Sequence, residues 1–185
     1  MHLYTMNFTY RKFQPETDSL KPFDCGDTDL NGFLVETSQD TPNATMYEQE
    51  RLAVTYVVED NGTHSILAYF SILNDKIERD IADSRIWNRL SRNIPNAKRR
   101  ASYPAIKIGR LAVSNEAQGF GLGREILSFI KAWFYNNPRA GCRFITVDAL
   151  RSAEAFYNKC HFIPLGRAAP DDETILMYYD LKGIT

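Results

Sequence analysis

Hydrophobic residues recur in two kinds of pattern along the chain, and each kind predicts a different element. Short runs rich in β-branched and aromatic residues, bounded by turn-forming residues, predict strands. We place these strands at residues 4–13, 51–59, 65–73, 106–113, 144–149, 162–165 and 174–181. The turn residues Asp60-Asn61-Gly62-Thr63 between the second and third runs predict a hairpin.

Hydrophobic positions spaced three and four residues apart predict helices. We place them at residues 28–34, 81–90, 122–136 and 152–159, and Asp27 or Thr28 can cap the first. Residues 38–45 are polar and are predicted to form a loop. Together the elements predict an α/β (α+β) fold with a mixed, mostly antiparallel sheet of six to seven strands flanked by about four helices.

The stretch from residue 106 to residue 130 joins a strand, a glycine-rich turn and a helix. Glycine occupies every second position of the turn, at Gly119, Gly121 and Gly123. Glycine lets the backbone approach a ligand closely, and the first N–H groups of a helix are unpaired and carry partial positive charge. The pattern therefore predicts a site for a phosphate or pyrophosphate. The alternative is that the glycines only form a tight turn.

Two well-known phosphate loops do not fit this turn. A Walker loop requires Lys and then Ser or Thr after its last glycine, where this chain has Arg124-Glu125. A dinucleotide fingerprint that begins at Gly119 requires its third glycine at the position of Arg124. What remains is Gln-Gly-Phe-Gly-Leu-Gly at residues 118–123, after a strand that ends in Gly-Arg-Leu-Ala-Val at residues 109–113.

Length and composition indicate a soluble globular protein. With 185 residues, of which 44% are hydrophobic and 24% charged, we expect one domain over residues 1–185 with a sizeable core. No apolar run approaches the roughly 20 residues of a membrane-spanning helix, and the first residues lack a signal-peptide layout. Cys25, Cys142 and Cys160 are odd in number and have no metal-type spacing. We therefore expect a cytoplasmic protein that binds no metal and no membrane.

Positive charge is concentrated in one part of the chain. Eight of the 22 Lys and Arg residues, and none of the 23 Asp and Glu residues, lie between Ser84 and Asn115. Such segregation suggests a polyanionic partner for one face. The alternative is a solvated helix face with a few counter-ions for bound phosphates.

The segment from Ser152 to Phe162 is the second informative stretch. Ala153, Phe156 and Cys160 share a helix face that would pack on the sheet, and Tyr157 lies beside this face. Taken alone, a tyrosine in this setting is more often a packing residue than a chemical one.

Taken together, these motifs resemble the GNAT family of N-acetyltransferases. The resemblance implies a GNAT-like fold and acetyl-CoA as the co-substrate. It also implies that loop amides hold the coenzyme A pyrophosphate and that the preceding strand pairs with the pantetheine arm. The residues it assigns to these roles are Leu111, Ala112, Val113, Gln118, Gly119, Phe120, Gly121, Leu122, Gly123 and Arg124.

The same resemblance gives Tyr157 the role of general acid to the departing thiolate. A phenol with a pKa near 10 is protonated at neutral pH and can donate that proton. The N–H of Val113 is a candidate for stabilising the oxyanion. His161 stands where the family usually has glycine, and we expect it to tolerate a positive φ at some cost. No residue is singled out as a general base.

Further stretches resemble the branch of the family that contains the toxins of toxin–antitoxin systems. They are residues 23–26, 30–31, 51–58, 108–113, 147–149 and 155–157. This branch implies aminoacyl-tRNA as the amine acceptor and a ribbon-helix-helix antitoxin as a partner, and a homodimer is a further possibility. Affinity for RNA phosphates should then be strongly salt-dependent. The candidate RNA-contacting residues are Arg85, Arg89, Arg92, Lys98, Arg99 and Arg100.

Three alternatives stay open from the sequence. The acceptor can be a small-molecule or protein amine, since one fold serves many substrates. The chain can be a coenzyme A sensor that binds but does not transfer. It can also be a nucleic-acid or antitoxin interaction module with a vestigial pocket.

Overall fold

The computed structural model describes residues 7–38, 40–92, 94–95, 100–137, 140–169 and 171–183. The strands in these ranges are β1 (Phe8–Lys12), β2 (Val54–Asp60), β3 (Ile66–Glu78), β4 (Ser102–Val113), β5 (Phe144–Leu150), β6 (Ile163–Pro164) and β7 (Thr174–Asp180). The helices are α1 (Pro15–Asp18), α2 (Thr28–Val35), α3 (Ala44–Gln49), α4 (Ser84–Ser91), α5 (Leu122–Asn136) and α6 (Glu154–Lys159). Short 3₁₀ turns occupy Arg151–Ala153 and Leu181–Gly183.

The strands form one seven-stranded sheet in the order β1-β2-β3-β4-β5-β7-β6. β1, β2 and β3 pair antiparallel, which confirms the predicted hairpin between β2 and β3. β4 and β5 pair in parallel, from Ala105 opposite Phe144 to Ile108 opposite Val147, and α5 makes the crossover between them. β7 pairs antiparallel with both β5 and β6. The predicted mixed, mostly antiparallel sheet is confirmed.

The chain divides into two compact units. Unit 1 comprises residues 1–73 and 109–126, and unit 2 comprises residues 74–108 and 127–185. Each has its own hydrophobic core. The core of unit 1 includes Phe13, Phe33, Leu34, Val57 and Tyr69. The core of unit 2 includes Ile77, Leu90, Phe144, Leu165 and Tyr178. That residues 1–185 act as a single functional domain stays a prediction.

Two short helices, α1 and α3, were not predicted, so the described chain has six helices rather than about four. α3 begins inside the segment that was expected to be a loop, because the side chain of Asn43 accepts a hydrogen bond from the N–H of Met46 at 2.9 Å. It ends at Gln49, before Arg51, whose φ is +56°, and the N–H of Leu52 donates to the carbonyl of Tyr47 at 2.8 Å. β2 therefore begins at residue 54 and not at residue 51.

Caps also fix the other helix boundaries. Asp27 accepts from the N–H of Leu30 at 3.0 Å, as predicted for α2. α4 begins three residues later than predicted because Asp83 accepts from the N–H of Arg85 at 2.9 Å. Ile81 thus precedes the helix, and it is 53% exposed rather than part of the apolar face. α5 has the predicted bounds, whereas a 3₁₀ turn replaces the predicted first residues of α6.

Candidate active site

The glycine-rich loop joins β4 to α5 in unit 1. Gly119 and Gly121 have φ values of +81° and +87°. A Cβ at either position would meet no atom within 4 Å. Both glycines are therefore required for the backbone conformation, which L side chains rarely adopt, and not for space.

The loop leaves a run of amides unpaired. Glu125 donates its N–H to the carbonyl of Gly121 at 3.1 Å, as in the first turn of a helix. Several N–H groups before it donate to no acceptor within the ranges that the structure describes. They are those of Gly119, Phe120, Gly121, Leu122 and Gly123. Unpaired amides at the amino end of a 15-residue helix favour an anion.

The backbone amide of Gln118 was predicted to face the ligand, but it is paired within the protein. Its N–H donates to the carbonyl of Ser114 at 2.9 Å, so the unpaired run begins one residue later. Its side-chain Nε2 donates to the carbonyls of Cys25 at 2.9 Å and Val113 at 3.0 Å. Gln118 therefore fixes the start of the loop to two neighbouring segments.

Asp24 and Asn115 supply a second anchor that the sequence did not reveal. The backbone N–H of Asn115 donates to the Asp24 carbonyl at 2.8 Å, and its Nδ2 donates to the Asp24 carboxylate at 2.9 Å. The other carboxylate oxygen accepts from the N–H of Gly26 at 2.8 Å and the Asn31 amide at 2.9 Å. The hydrogen bonds from Gly26, Asn31 and Asn115 lower the pKa of Asp24. In the sequence, the only indication of this anchor was that the stretches carrying the family resemblance include residues 23–26 and 30–31.

The other residues expected to contact the co-substrate differ in burial. Ala112 packs in the core of unit 1, while Leu111 and Val113 are half-buried. Arg124 and Phe120 are exposed, Phe120 to 70%. Their contacts with coenzyme A stay predictions.

Tyr157 lies on α6 in unit 2 and is buried, with 7% of its surface exposed, although it was expected beside the packed face. Its ring meets Phe156 and Phe162 edge to face, with centroid distances of 5.1 and 5.5 Å. Burial, with a smaller contribution from Cys160, raises the pKa of Tyr157 above its ordinary value of 10. Its hydroxyl makes no hydrogen bond to any residue that the structure describes.

A Schellman motif closes α6 directly after Tyr157. The N–H of Phe162 donates to the carbonyl of Tyr157 at 3.0 Å, and the N–H of His161 donates to that of Asn158 at 2.9 Å. The motif requires the first residue after the helix cap to adopt the left-handed conformation, and this residue is usually glycine. His161 adopts that conformation, with φ of +64°, as the sequence predicted.

The candidate RNA-contacting residues on α4 form an exposed row. Arg85, Arg89 and Arg92 are exposed, whereas Trp87 and Leu90 on the same helix are buried. Arg100 is exposed as well, and Lys98 and Arg99 lie outside the described residues.

A groove of about 700 Å³ in unit 2 adjoins this row. Arg89 donates to the Tyr178 hydroxyl, and Arg143 binds the Asp180 carboxylate through two nitrogens at 3.1 and 2.8 Å. No carboxylate in the described part of the chain pairs with Arg89 or with Lys182, so the groove carries uncompensated positive charge. It is lined by Arg89, Leu90, Arg143, His161, Ile163, Tyr178, Tyr179, Asp180, Lys182 and Gly183.

The family model for the acetyltransferase (GNAT) domain matches residues 51–164. The chain belongs to the GNAT family and is an acetyl-CoA-dependent N-acetyltransferase. Its fold is shared by GNAT toxins of toxin–antitoxin systems.

Three solved structures show this shared fold. A tyrosine-to-phenylalanine mutant of KacT has a TM-score of 0.75 and 23% sequence identity, with 96% of this chain and 97% of that chain covered. AtaT complexed with acetyl-methionyl-tRNAfMet has a TM-score of 0.74 and 23% identity, with the same coverage. AtaTR bound with AcCoA has a TM-score of 0.72 and 21% identity, with 96% of each chain covered.

The described residues contain no group of three or more His, Cys, Asp and Glu residues that could hold a metal ion. No helix among them is both long enough and apolar enough to cross a bilayer.

Proposed function

We propose that the protein transfers the acetyl group of acetyl-CoA to a primary amine by direct attack on the thioester, with Tyr157 as the general acid. The neutral amine forms a bond to the carbonyl carbon, and the carbon–sulfur bond breaks. Tyr157 gives its proton to the departing thiolate, the amine loses a proton to solvent, and the Tyr157 phenolate regains a proton from solvent. The products are an N-acetylated amine and coenzyme A.

The run of unpaired amides at residues 119–123 is the observation that carries the first half of this proposal. A pyrophosphate is the part of coenzyme A that a helix amino end and bare N–H groups would bind. Gln118 and Asn115 hold the loop through side-chain bonds to Cys25 and Asp24, so the amides are ordered before a ligand arrives. The half-buried Leu111 and Val113 then contact the pantetheine arm, and the N–H of Val113 stabilises the oxyanion.

The protonation state of Tyr157 supports the second half. Because burial raises its pKa, the phenol is protonated at neutral pH and can donate a hydrogen bond to the developing thiolate. Its hydroxyl is not committed to any described protein acceptor, which leaves it available to a leaving group.

We propose aminoacyl-tRNA as the acceptor. The support is the exposed arginine row of α4, the positively charged groove beside Arg89, and the fold shared with AtaT, which was solved with acetyl-methionyl-tRNAfMet. A row of cations on one helix suits a phosphate backbone better than a single small anion. An antitoxin of the ribbon-helix-helix class is the matching proposal for a partner, supported by the AtaT structure with the C-terminus of AtaR.

A small cationic amine is a second candidate acceptor. In unit 2, a cavity of about 310 Å³ is lined by Asp148, Asp172 and Glu173, with Arg167 as a cation. Lys107 already pairs with Asp148, so two carboxylates are left against one arginine. Such a cavity favours a polyamine over an RNA.

An acceptor screen with radiolabelled acetyl-CoA tests the proposal. Charged tRNA, spermidine, free amino acids and peptides are each incubated with the protein, and both label transfer and thiol release are measured. We expect label on the amino group of aminoacyl-tRNA. The double variant Arg89→Glu with Arg92→Glu should reduce that transfer, whereas Lys76→Glu, an exposed charge change elsewhere in unit 2, should not.

Other outcomes select among the alternatives. Label found only in spermidine would replace the RNA acceptor with the second candidate. Acetyl-CoA binding without transfer to any amine would make the chain a non-catalytic coenzyme A-binding module.

A further inference from the structure

Lys131 lies on α5 in unit 2, and its side chain turns inward rather than to solvent. Its ammonium donates to the carbonyl oxygen of Cys160, the residue that follows the last turn of α6. The same nitrogen lies 4.0 Å from the ring centroid of Tyr179 and 5.0 Å from that of Phe162. A cation that lies over two neighbouring rings and donates to a helix-end carbonyl is held by three groups.

This arrangement is unusual for a lysine. Burial lowers the pKa of Lys131, because it disfavours the charged form, and no carboxylate in the described chain pairs with it. The partners that compensate are the negative carbonyl end of α6 and the two aromatic rings. No sequence pattern predicts this placement, since a lysine on an amphipathic helix ordinarily stays in water.

Two of the three partners of Lys131, Cys160 and Phe162, border Tyr157. Cys160 lies three residues after Tyr157, and its N–H donates to the carbonyl of Tyr157 at 3.0 Å. Phe162 donates its own N–H to the same carbonyl, and its ring meets the Tyr157 ring at 5.5 Å. A side chain that fixes the Cys160 carbonyl and the Phe162 ring therefore fixes two of the contacts that orient the phenol.

We propose that Lys131 is a positioning residue that orients Tyr157 by bracing the carboxyl end of α6. The proposal rests on the proposed role of Tyr157 as general acid. Lys131 itself transfers no proton and touches no substrate. Without the ammonium, the Cys160 carbonyl loses the bond from Lys131 and Phe162 loses the cation on its ring, so the phenol is held less firmly toward the leaving sulfur.

The test is a double-mutant cycle on Lys131 and Tyr157. Lys131→Met keeps the length of the side chain and removes its charge. We expect kcat to fall between about 10- and 100-fold, the cost of a misplaced catalytic group, with the acetyl-CoA KM unchanged. Lys131→Arg should restore most of the rate. In the Tyr157→Phe background, measured with enzyme in excess over acetyl-CoA, Lys131→Met should cost nothing further.

Lys159→Met is the matched control, because Lys159 is exposed on the last turn of α6 and should leave the rate unchanged. Thermal midpoints are measured for every variant. An equal loss of rate from Lys131→Met in both backgrounds, or a loss that follows the thermal midpoint and is not restored by Lys131→Arg, would overturn the positioning role.

The two proposals fail in different ways. Full activity of Tyr157→Phe contradicts the general acid itself. Full activity of Lys131→Met beside an impaired Tyr157→Phe contradicts only the positioning role of Lys131.

Discussion

The amino end of α5 and the carboxyl end of α6 both depend on residues with positive φ, yet they leave their polar groups in opposite states. At α5, Gly119 and Gly121 turn the chain so that five amides have no acceptor in the described chain. At α6, His161 turns the chain so that its own N–H and that of Phe162 are both paired. The same backbone conformation thus prepares a binding surface in unit 1 and completes a structural cap in unit 2.

The paired polar groups at α6 contribute to stability, whereas the unpaired ones at α5 contribute to binding. Unpaired amides in water cost the folded state little, and they gain interactions only when an anion arrives. Paired groups contribute to the folded state whether or not a ligand is present. Changes at open groups should therefore affect function with little effect on stability, and changes at paired groups should mainly lower stability, except at Lys131, whose bond to the Cys160 carbonyl is proposed to position Tyr157.

Tyr157 carries the open group with the largest expected effect. Tyr157→Phe removes only the hydroxyl, which has no partner among the described residues, and keeps the ring contacts with Phe156 and Phe162. We expect kcat to fall by about 10²- to 10⁴-fold, the usual contribution of a general acid. The binding of acetyl-CoA and the thermal midpoint should change little. The measurement is thiol release under saturating acetyl-CoA.

Tyr135→Phe is the control for that substitution, since Tyr135 is 51% exposed on α5 and is expected to be silent. If Tyr157→Phe released thiol at the wild-type rate with every amine, Tyr157 would be a packing residue and its unpaired hydroxyl would have no role in the reaction.

The most completely paired cluster of unit 1 provides the opposite case. Arg11 binds both oxygens of the fully buried Asp18, at 2.6 and 2.7 Å, and also binds Glu59. Burial by itself would raise the pKa of Asp18, but bonds from Arg11 and the N–H of Gln14 lower it. Burial likewise acts to raise the pKa of Glu59, and bonds from His64, Arg11 and Lys21 outweigh it and lower the pKa to about 2.

Acid should therefore destabilise this unit in a defined range. Since Glu59 binds its proton more weakly in the folded state, its contribution is complete above the unfolded pKa of about 4.3 and is lost as the pH falls toward about 2. Arg11→Met should lower the free energy of unfolding by about 3 kcal/mol at pH 7, because it leaves a buried carboxylate unpaired. Its deficit relative to wild type should shrink below pH 4. Urea titrations at pH 7, 4 and 3 measure both effects.

Lys76→Met breaks an exposed ion pair with Glu78 and should leave the free energy of unfolding nearly unchanged at each of these pH values. A deficit of Arg11→Met that stayed constant down to pH 3 would show that packing, and not charge, accounts for it. Acetyl-CoA affinity should be unchanged in both variants, as the distinction between paired and open groups requires.

The loop is the next place to test that distinction. Gly121→Ala places a side chain at φ of +87°, where a non-glycine residue costs about 1–2 kcal/mol. Relaxation of that strain would turn the neighbouring amides away from the ligand. We expect acetyl-CoA to bind about 5- to 30-fold more weakly by calorimetry, with a small change in stability. Gly141→Ala is the matched control, because its Cβ would also meet open space but its φ is ordinary.

Unchanged affinity in Gly121→Ala would count against the loop as the pyrophosphate site. It would favour the simpler interpretation of the glycines, in which they only form a tight turn.

Some of this arrangement could be predicted from the sequence and some could not. The bounds of α5 follow from the glycine-rich turn at its start and from Asn-Asn-Pro, which begins at its last residue, Asn136, and both signals are local in the sequence. The positive φ at His161 could be predicted because it substitutes for a glycine in a recurrent motif. By contrast, the bond between Asp24 and Asn115 joins residues 91 positions apart, and no local pattern reports it.

The short helix α3 and the burial of Tyr157 also could not be predicted from the sequence. α3 has six residues, too few to show a hydrophobic period, and its Asn43 cap sits in a polar segment typical of a loop. The burial of Tyr157 depends on Phe162, which lies beyond the helix and folds back through the Schellman motif. Helical spacing describes the face of a helix, and it does not describe what the following residues bring onto that face.

His161 gives the smallest and most discriminating prediction. Its side chain is not needed for the cap, since only the backbone conformation closes α6, and a left-handed histidine is strained. His161→Gly should therefore stabilise the fold by less than about 1 kcal/mol, because the relief of strain is partly offset by the greater freedom of glycine in the unfolded chain. His161→Val should destabilise it by about 1–2 kcal/mol. Urea midpoints of the three proteins give the order, and kcat is measured alongside. A fall in kcat for His161→Gly without a fall in stability would give the imidazole a part in the reaction, and the carboxyl end of α6 would then be a functional site as well as a cap.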